Sequence, residues 1–435
     1  MNLNKLQNKK ICILGYGIEN KALVSFLISK KISCEITICD ANRGVRHPVG
    51  CRTPFVGWRL GKNYDKNLSD FDIIFRIAGY PLFSEKIKKA KKTGTEISSP
   101  AKLFFEFCPT KNIIGITGTK GKGTTASLIF TILKKAGKRV WFGGNIGVPI
   151  FSFFEKIKEN DWVVLELSSF QLEDLKISPR FAVFTNFYKE HLAPADPNNP
   201  NYHKTLSSYW KSKTNIFLWQ NKDGILIANE KIKNKIKNQG KGKKIYFTKS
   251  NLPSQLIGKH NKENIAAAVL IAEQIKISQK IIASAVASFK GLEHRLEFAG
   301  ERAGIKFYDD SFSTTPENTI AALNSFDQPI ILLAGGADKG SDFKALAKLI
   351  KQKAKLVILF EGKSSPRLKK ELEKIKYQKE KIKSANSMPT AILIATKEME
   401  TRDIILLSPG CASFGIFKNY KERGNLFKQE VNKIK

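Results

Sequence analysis

The chain has 435 residues, 42% of them hydrophobic, and a formal net charge of +35 at pH 7. That length suffices for two or three domains with separate cores, and no apolar run approaches the roughly 20 residues a membrane-spanning helix needs. Six scattered cysteines without a Cys-x-x-Cys pair argue against a zinc ribbon or a disulfide scaffold.

The first residues run from Met1 through polar side chains into a strand-like stretch, with no apolar leader core, so a cytoplasmic protein is expected. Its lysines are spread over nearly every helix and loop, and no RNA- or DNA-binding motif accompanies them. Nucleic acid and membrane are therefore not expected as partners, whereas a positive field suits anionic small molecules such as nucleotides.

Ile11–Leu14 reads as a strand, 20–29 as a helix, Glu35–Cys39 as a strand closed by Asp40, Phe71–Ile77 as another strand and 84–92 as a basic helix. This is a βα repeat of Rossmann type. Its first turn, Gly15-Tyr16-Gly17-Ile18-Glu19-Asn20, carries two of the three glycines of the dinucleotide fingerprint, which leaves a tight structural turn and a ligand-binding turn both open.

A second βα series opens at Asn112-Ile113-Ile114 and runs into Gly115-Ile116-Thr117-Gly118-Thr119-Lys120-Gly121-Lys122-Gly123-Thr124-Thr125. An apolar helical pattern follows at Ala126, Leu128, Ile129, Ile132 and Leu133. Strand, glycine-rich turn and helix are the context a phosphate loop requires, because backbone N–H groups and a helix N-terminus must close on phosphate oxygens. Lys122 would neutralise β/γ-phosphate charge. Gly123 follows the lysine, so the Mg²⁺-binding hydroxyl falls to Thr124. ATP is the expected ligand.

Beyond the loop, Trp162–Leu167 and Ala182–Asn186 read as strands, then a Pro/Asn-rich loop, hairpin-like segments at Gly224–Ala228 and Lys244–Phe247, and a helix from His260 to Ala272. Glu166 ends a buried strand, the place for a Mg²⁺ ligand opposite the loop hydroxyl. His191, five residues past the next strand end, is a candidate second metal ligand. A third series has strands at Ile305–Asp309, Ile330–Ala334, Leu356–Phe360 and Ile404–Leu407. Three α/β domains are expected: a Rossmann-like domain over 1–109, a central phosphate-loop domain over 110–290 and a Rossmann-like C-terminal domain over 291–435.

The motifs then fall in a specific order: the phosphate loop, Gly143-Gly144-Asn145-Ile146-Gly147, Glu166-Leu167-Ser168-Ser169-Phe170-Gln171-Leu172, Gly258-x-His260-Asn261-x-x-Asn264, Gly291-Leu292-x-His294-Arg295, Asp310-Ser311 with Thr314, and Ser408-Pro409-x-Cys411-Ala412-Ser413-Phe414. Singly, each could be a turn or a cap. Together they resemble the Mur ligase family over about residues 10–430, and most of all its member that adds D-glutamate to UDP-N-acetylmuramoyl-L-alanine.

The resemblance implies an ATP-dependent amide ligase working through an acyl phosphate, with two Mg²⁺ ions. Gly118, Thr119, Gly121, Lys122, Gly123, Thr124 and Thr125 would hold ATP phosphates, with Asn261, Asn264, Arg295 and Asp310 on its adenine, phosphate and ribose groups. Thr124, Glu166 and His191 would bind metal, joined by a carboxylated lysine at Lys213, with Lys211 as the fallback. Gly17, Ile18, Asn145, Ser168 and Gln171 would contact the nucleotide-sugar substrate. Thr314, Lys339, Ser413 and Tyr420 would receive glutamate. A monomer is expected.

Three positions depart from the family pattern: Phe312 where a lysine often follows Asp-Ser, Ile77-Ala78-Gly79 in place of Ser-Pro-Gly, and Asn20 for the third glycine of the first turn. Two alternatives stay open. One is a sibling ligase, including a folate-polyglutamating enzyme, which the Gly-Lys-Gly-Thr order favours. The other is a nucleotide- or RNA-binding protein that has lost catalysis.

Overall fold

The structure is a computed structural model, and it describes residues 3–44, 56–193, 200–337 and 340–434. Three sheets succeed one another along the chain. The first holds β1 (Lys10–Leu14), β2 (Glu35–Asp40), β3 (Val56–Leu60), β4 (Ile73–Arg76) and β5 (Glu96–Ser98), in the order β3-β2-β1-β4-β5 and parallel throughout. β1 and β4 are runs of Ile, Leu, Cys and Phe because both faces of a parallel sheet are covered by helices.

The second sheet holds β6 (Ile113–Thr117), β7 (Val140–Gly144), β8 (Trp162–Glu166), β9 (Phe181–Phe184), β10 (Ile225–Asn229) and β11 (Lys243–Phe247). The order is β11-β10-β9-β6-β8-β7, again parallel. The chain leaves β6 towards one edge and returns to its other side at β9. The carboxyl end of β6 is therefore a topological switch point, where the loops after β6, β8 and β9 meet.

One expectation changes here. The segments read as hairpin-like pair in parallel, Ile225 opposite Lys243. Their connection carries two short helical turns, Glu230–Ile232 and Lys233–Ile236, and is far longer than a hairpin turn.

The third sheet holds β12 (Glu297–Arg302), β13 (Ile305–Asp309), β14 (Ile330–Ala334), β15 (Ala354–Phe360), β16 (Ile382–Ala385) and β17 (Ile404–Leu407), ordered β12-β13-β17-β14-β15-β16. Only β12 is antiparallel. It turns into β13 through Ala303-Gly304, both with positive φ (50° and 74°), as a two-residue turn of primed type demands.

By compactness the chain divides into two units, Met1–Leu252 with Lys262–Val286, and Pro253–Asn261 with Ala287–Lys435. The first unit contains two sheets because an aromatic core joins them. Phe26 lies 5.0 Å from Phe151 and 5.3 Å from Phe154, and Phe104 lies 5.4 Å from Phe154. Fully buried rings of this size dominate the energetics of such a junction. Among the described residues no helix is long and apolar enough to cross a membrane.

Candidate active site

The loop after β6 is built around two glycines whose positive φ would strain a residue with a side chain. Gly118 has φ 145° and a Cβ there would lie 1.9 Å from Thr185 Oγ1. Gly121, the N-cap of the helix Lys122–Lys135, has φ 81°, with a Cβ position 2.2 Å from Asn264 Oδ1. Residues past β9 brace the loop from beneath. Thr185 Oγ1 donates to Lys120 O (2.7 Å), Asn186 Oδ1 accepts from Lys120 N (2.8 Å), and Thr119 N donates to Asn186 O (2.9 Å). The Tyr209 hydroxyl lies 3.2 Å from Thr119 Oγ1. Lys120 itself pairs with Glu190 at 2.6 Å. The cradle that a Cβ would fill, at the head of a 14-residue helix, fits a polyphosphate.

Two lysines converge on one carbonyl of this loop. Lys122 Nζ donates to Gly118 O (3.1 Å) and Thr119 O (3.0 Å), and Lys213 Nζ donates to Gly118 O at 2.7 Å. Lys213 sits on the helix Leu206–Leu218 and is 1% exposed, whereas Lys211 is exposed. Burial, and then the Lys122 cation, push the Lys213 ammonium far below its usual range. Thr124 is partly exposed in the first turn of the phosphate-loop helix, while Gly123 and Thr125 are buried, Thr125 with its hydroxyl towards Asn264 Oδ1 (3.4 Å).

Glu166 ends β8 and is buried, with Oε1 accepting from Asn145 Nδ2 at 3.0 Å. Gly144 makes this approach possible: Asn145 N donates to Glu166 O (2.8 Å), and a Cβ at 144 would lie 2.2 Å from that oxygen. His191 is exposed, has φ 59° and packs edge-on against Phe170 (5.5 Å) and Tyr209 (5.7 Å). Its pKa is lowered, first by the desolvation of the ring face against Phe170 and Tyr209 and then by the Lys213, Lys122 and Lys120 cations, with Glu190 opposing. The Glu166 carboxylate and the Thr124 hydroxyl are the oxygen donors that Mg²⁺ takes, whereas an imidazole is a softer ligand.

A second histidine, missed in the sequence, supports this one. His203 is 1% exposed, stacks on Phe170 (4.6 Å, 5° between planes), meets Ser169 Oγ at 2.9 Å, and donates its backbone N–H to His191 O (2.8 Å). Beside it lies a buried polar joint between the first two sheets. Arg76 Nη2 is 3.7 Å from both Glu173 Oε2 and Asp174 Oδ1, and His203 Nδ1 is 3.8 Å from Glu173 Oε1. Asn201 Nδ2 closes it on Ala78 O at 2.6 Å. No local pattern announces this joint, because its members come from three distant segments.

The expected substrate contacts of the first unit divide in two. Gly17 caps the helix Ile18–Ser29, and Ile18 is 69% exposed, open to a ligand. Ser168 and Gln171 instead form a capping box at the helix Ser169–Leu172, and Gln171 Nε2 donates to Glu19 Oε1 at 2.5 Å. Burial raises the Glu19 carboxyl to about 6, against the pull of that hydrogen bond.

In the second unit, Arg295 lies between two left-handed residues, His294 (φ 62°) and Leu296 (φ 47°). His294 Nδ1 meets buried Asp309 Oδ2 at 2.6 Å. Asp310 accepts from Leu296 N (3.2 Å), Ser313 Oγ (2.5 Å) and Ser408 Oγ (2.8 Å), so its carboxylate knits three loops at the carboxyl ends of β13 and β17. Burial lifts it to about 7, with those hydrogen bonds opposing. Ser413 is buried, Thr314 partly exposed, and Tyr420 opens the helix Tyr420–Lys433. Asn261 donates to Ile257 O at 2.7 Å. Lys339 lies outside the described residues.

A braced phosphate loop on a parallel sheet, with a carboxylate, a histidine and a buried lysine around it, defines an ATP-using α/β enzyme. Residues 116–252 match the Mur ligase middle domain and 294–411 the Mur ligase glutamate ligase domain, and the chain belongs to the Mur ligase family. It is 36% identical to the UDP-N-acetylmuramoylalanine–D-glutamate ligase of Acetivibrio thermocellus, over 99% of this chain and 97% of that protein. It is likewise 36% identical to the enzyme of that name from Clostridium botulinum, over 99% and 98%. Among solved structures, MurF ligase from Thermotoga maritima in complex with ADP aligns with a TM-score of 0.60 at 15% identity, covering 99% of this chain and 97% of that one. UDP-N-acetylmuramate-alanine ligase MurC from the same organism gives 0.58 at 15%, covering 98% and 99%. At that identity the likeness speaks to fold.

Proposed function

We propose that this chain joins the amine of D-glutamate to the alanyl carboxylate of UDP-N-acetylmuramoyl-L-alanine at the expense of ATP. The observation that carries this reading is the 36% identity to ligases of that name over almost the whole length of both chains. A carboxylate oxygen of the alanyl group attacks the γ-phosphorus, the bond to the β-phosphate oxygen breaks, and ADP leaves. The amine then attacks the acyl carbon, phosphate departs, and the amine proton passes to solvent or phosphate.

The first step brings two anions together, and Lys122 with the N–H groups of residues 118–124 is suited to offset their repulsion. Mg²⁺, held by Thr124 and Glu166 with a second ion at His191, would supply further charge neutralisation when bound. Asn145 orients Glu166. In the second unit, Arg295 would hold phosphate, and Tyr420 with Thr314, Ser413 and Lys339 would receive the amino acid. We place the enzyme in the cytoplasm as a monomer.

Lys213 is the proposed site of carboxylation. Only a neutral amine adds to CO₂, losing a proton to give a carbamate. An amine buried beside another lysine and driven towards neutrality meets that condition. Incubation with ¹³C-bicarbonate should give a carbamate carbon signal that is lost in Lys213→Ala.

The deciding assay is phosphate release with UDP-N-acetylmuramoyl-L-alanine and either glutamate isomer, run beside the other nucleotide precursors and folate. D-glutamate-dependent release from the first precursor alone is expected. Dependence on another acceptor would reassign the chain within the family. Lys122→Ala should abolish turnover with the fold intact by circular dichroism, and near-normal turnover would overturn the loop assignment.

A further inference from the structure

We propose that Phe312 is a positioning residue, whose ring fixes the Arg295 guanidinium and couples it to Tyr420. The inference rests on the roles proposed above for those two residues. Arg295 Cζ lies 3.8 Å from the centroid of the Phe312 ring, well inside the range of a cation–π contact. Tyr420 meets the same ring edge-on, at 5.0 Å and 86°. One aromatic side chain thus touches both the residue assigned to ATP phosphate and a residue assigned to the incoming amino acid.

The backbones that carry these side chains are already fixed. Phe312 N donates to His294 O (3.0 Å) and Arg295 N to Leu292 O (3.2 Å), while Leu296 N is held by Asp310 Oδ1. Ser311 is held by the fully buried Arg423, whose Nε donates to Ser311 Oγ (2.9 Å) and Nη2 to Ser311 O (2.8 Å). Ser311 Oγ in turn donates to Tyr420 O at 2.8 Å. The left-handed residues flanking Arg295 cost conformational energy that this network must sustain. The Arg295 side chain is long and has many rotamers. Contact with an aromatic face restricts them, and a planar guanidinium suits an anion.

The test uses the full chain, with affinity for a non-hydrolysable ATP analogue and steady-state constants for all three substrates. Phe312→Leu is expected to weaken analogue binding about three- to tenfold, the range of a partly exposed cation–π contact. It should also raise the KM for glutamate and leave the KM for the nucleotide-sugar unchanged. Phe312→Tyr keeps the ring and should return all constants to within about twofold of the parent. In an Arg295→Ala background, Phe312→Leu should add nothing to the loss of analogue binding.

If Arg295→Ala leaves analogue binding intact, the assignment of Arg295 to phosphate is wrong. If Arg295→Ala weakens binding but Phe312→Leu does not, or the two losses add, the positioning role alone is wrong. An equal rise in KM for all three substrates with a lowered melting midpoint would mean general destabilisation and would also overturn it.

Discussion

His203 shows how a residue without a direct chemical role shapes both site and stability. Its pKa is pushed down to about 4 by burial, with His191 and Lys213 adding to the effect. A folded-state pKa below the ordinary value of about 6.5 means that the native protein binds fewer protons than the unfolded chain between those pH values. Stability is therefore full above about pH 6.5 and falls as pH drops towards 4. The loss from this group amounts to about 2 kcal/mol by pH 5. His203→Gln cannot titrate, so urea midpoints at pH 7 and pH 5 should lie closer together than in the parent. An unchanged gap would show that His203 charges freely in the native protein. Asp310 carries the opposite sign. Raised to about 7 by burial, it gives the native state extra proton affinity, so its contribution declines as pH rises from about 4 to about 7.

At the scale of elements, the phosphate loop was legible because everything it needs is contiguous: an apolar strand, glycines, a lysine and an apolar helix. Its braces were not. Thr185, Asn186, Tyr209 and Asn264 reach the loop from 65 or more positions away, and only the parallel pairing of β9 beside β6 brings the first two there. Strands with continuous apolar runs, such as β6, β14 and β17, were read directly. β3, β5, β7, β12 and β16 escaped because all five are edge strands and carry Lys, Arg, Gly or Glu rather than an unbroken apolar run. β10 and β11 were found but mispaired, since turn-rich sequence between two strands looks the same whichever way the second one runs. The loop also permits a sharp test. Gly118→Ala must adopt φ near 145° and place its methyl on Thr185 Oγ1, so ATP binding should be lost, with a destabilisation of about 2 kcal/mol or more. Adding Thr185→Ala relieves the clash but not the backbone, so only partial recovery is expected by calorimetric titration with ATP. Full recovery would mean the dihedral imposes no cost.

Over the whole molecule, 74 Lys and Arg against 39 Asp and Glu give a positive field, and every proposed substrate is an anion. Raising salt from about 50 to 300 mM should increase the KM for the nucleotides with little change in kcat, because steering by a diffuse field is screened over a Debye length of about 10 Å. A KM indifferent to salt would assign capture to short-range contacts alone. The joint of Arg76, Glu173, Asp174 and His203 bears on how such a chain can diversify. Were Arg76 exchanged for a neutral residue by itself, two carboxylates would be stranded underground without their cation, a penalty that no single further change to either acid removes. Replacing this joint without that penalty takes coordinated change at several of these positions, so Arg76, Glu173 and Asp174 act as one energetic unit.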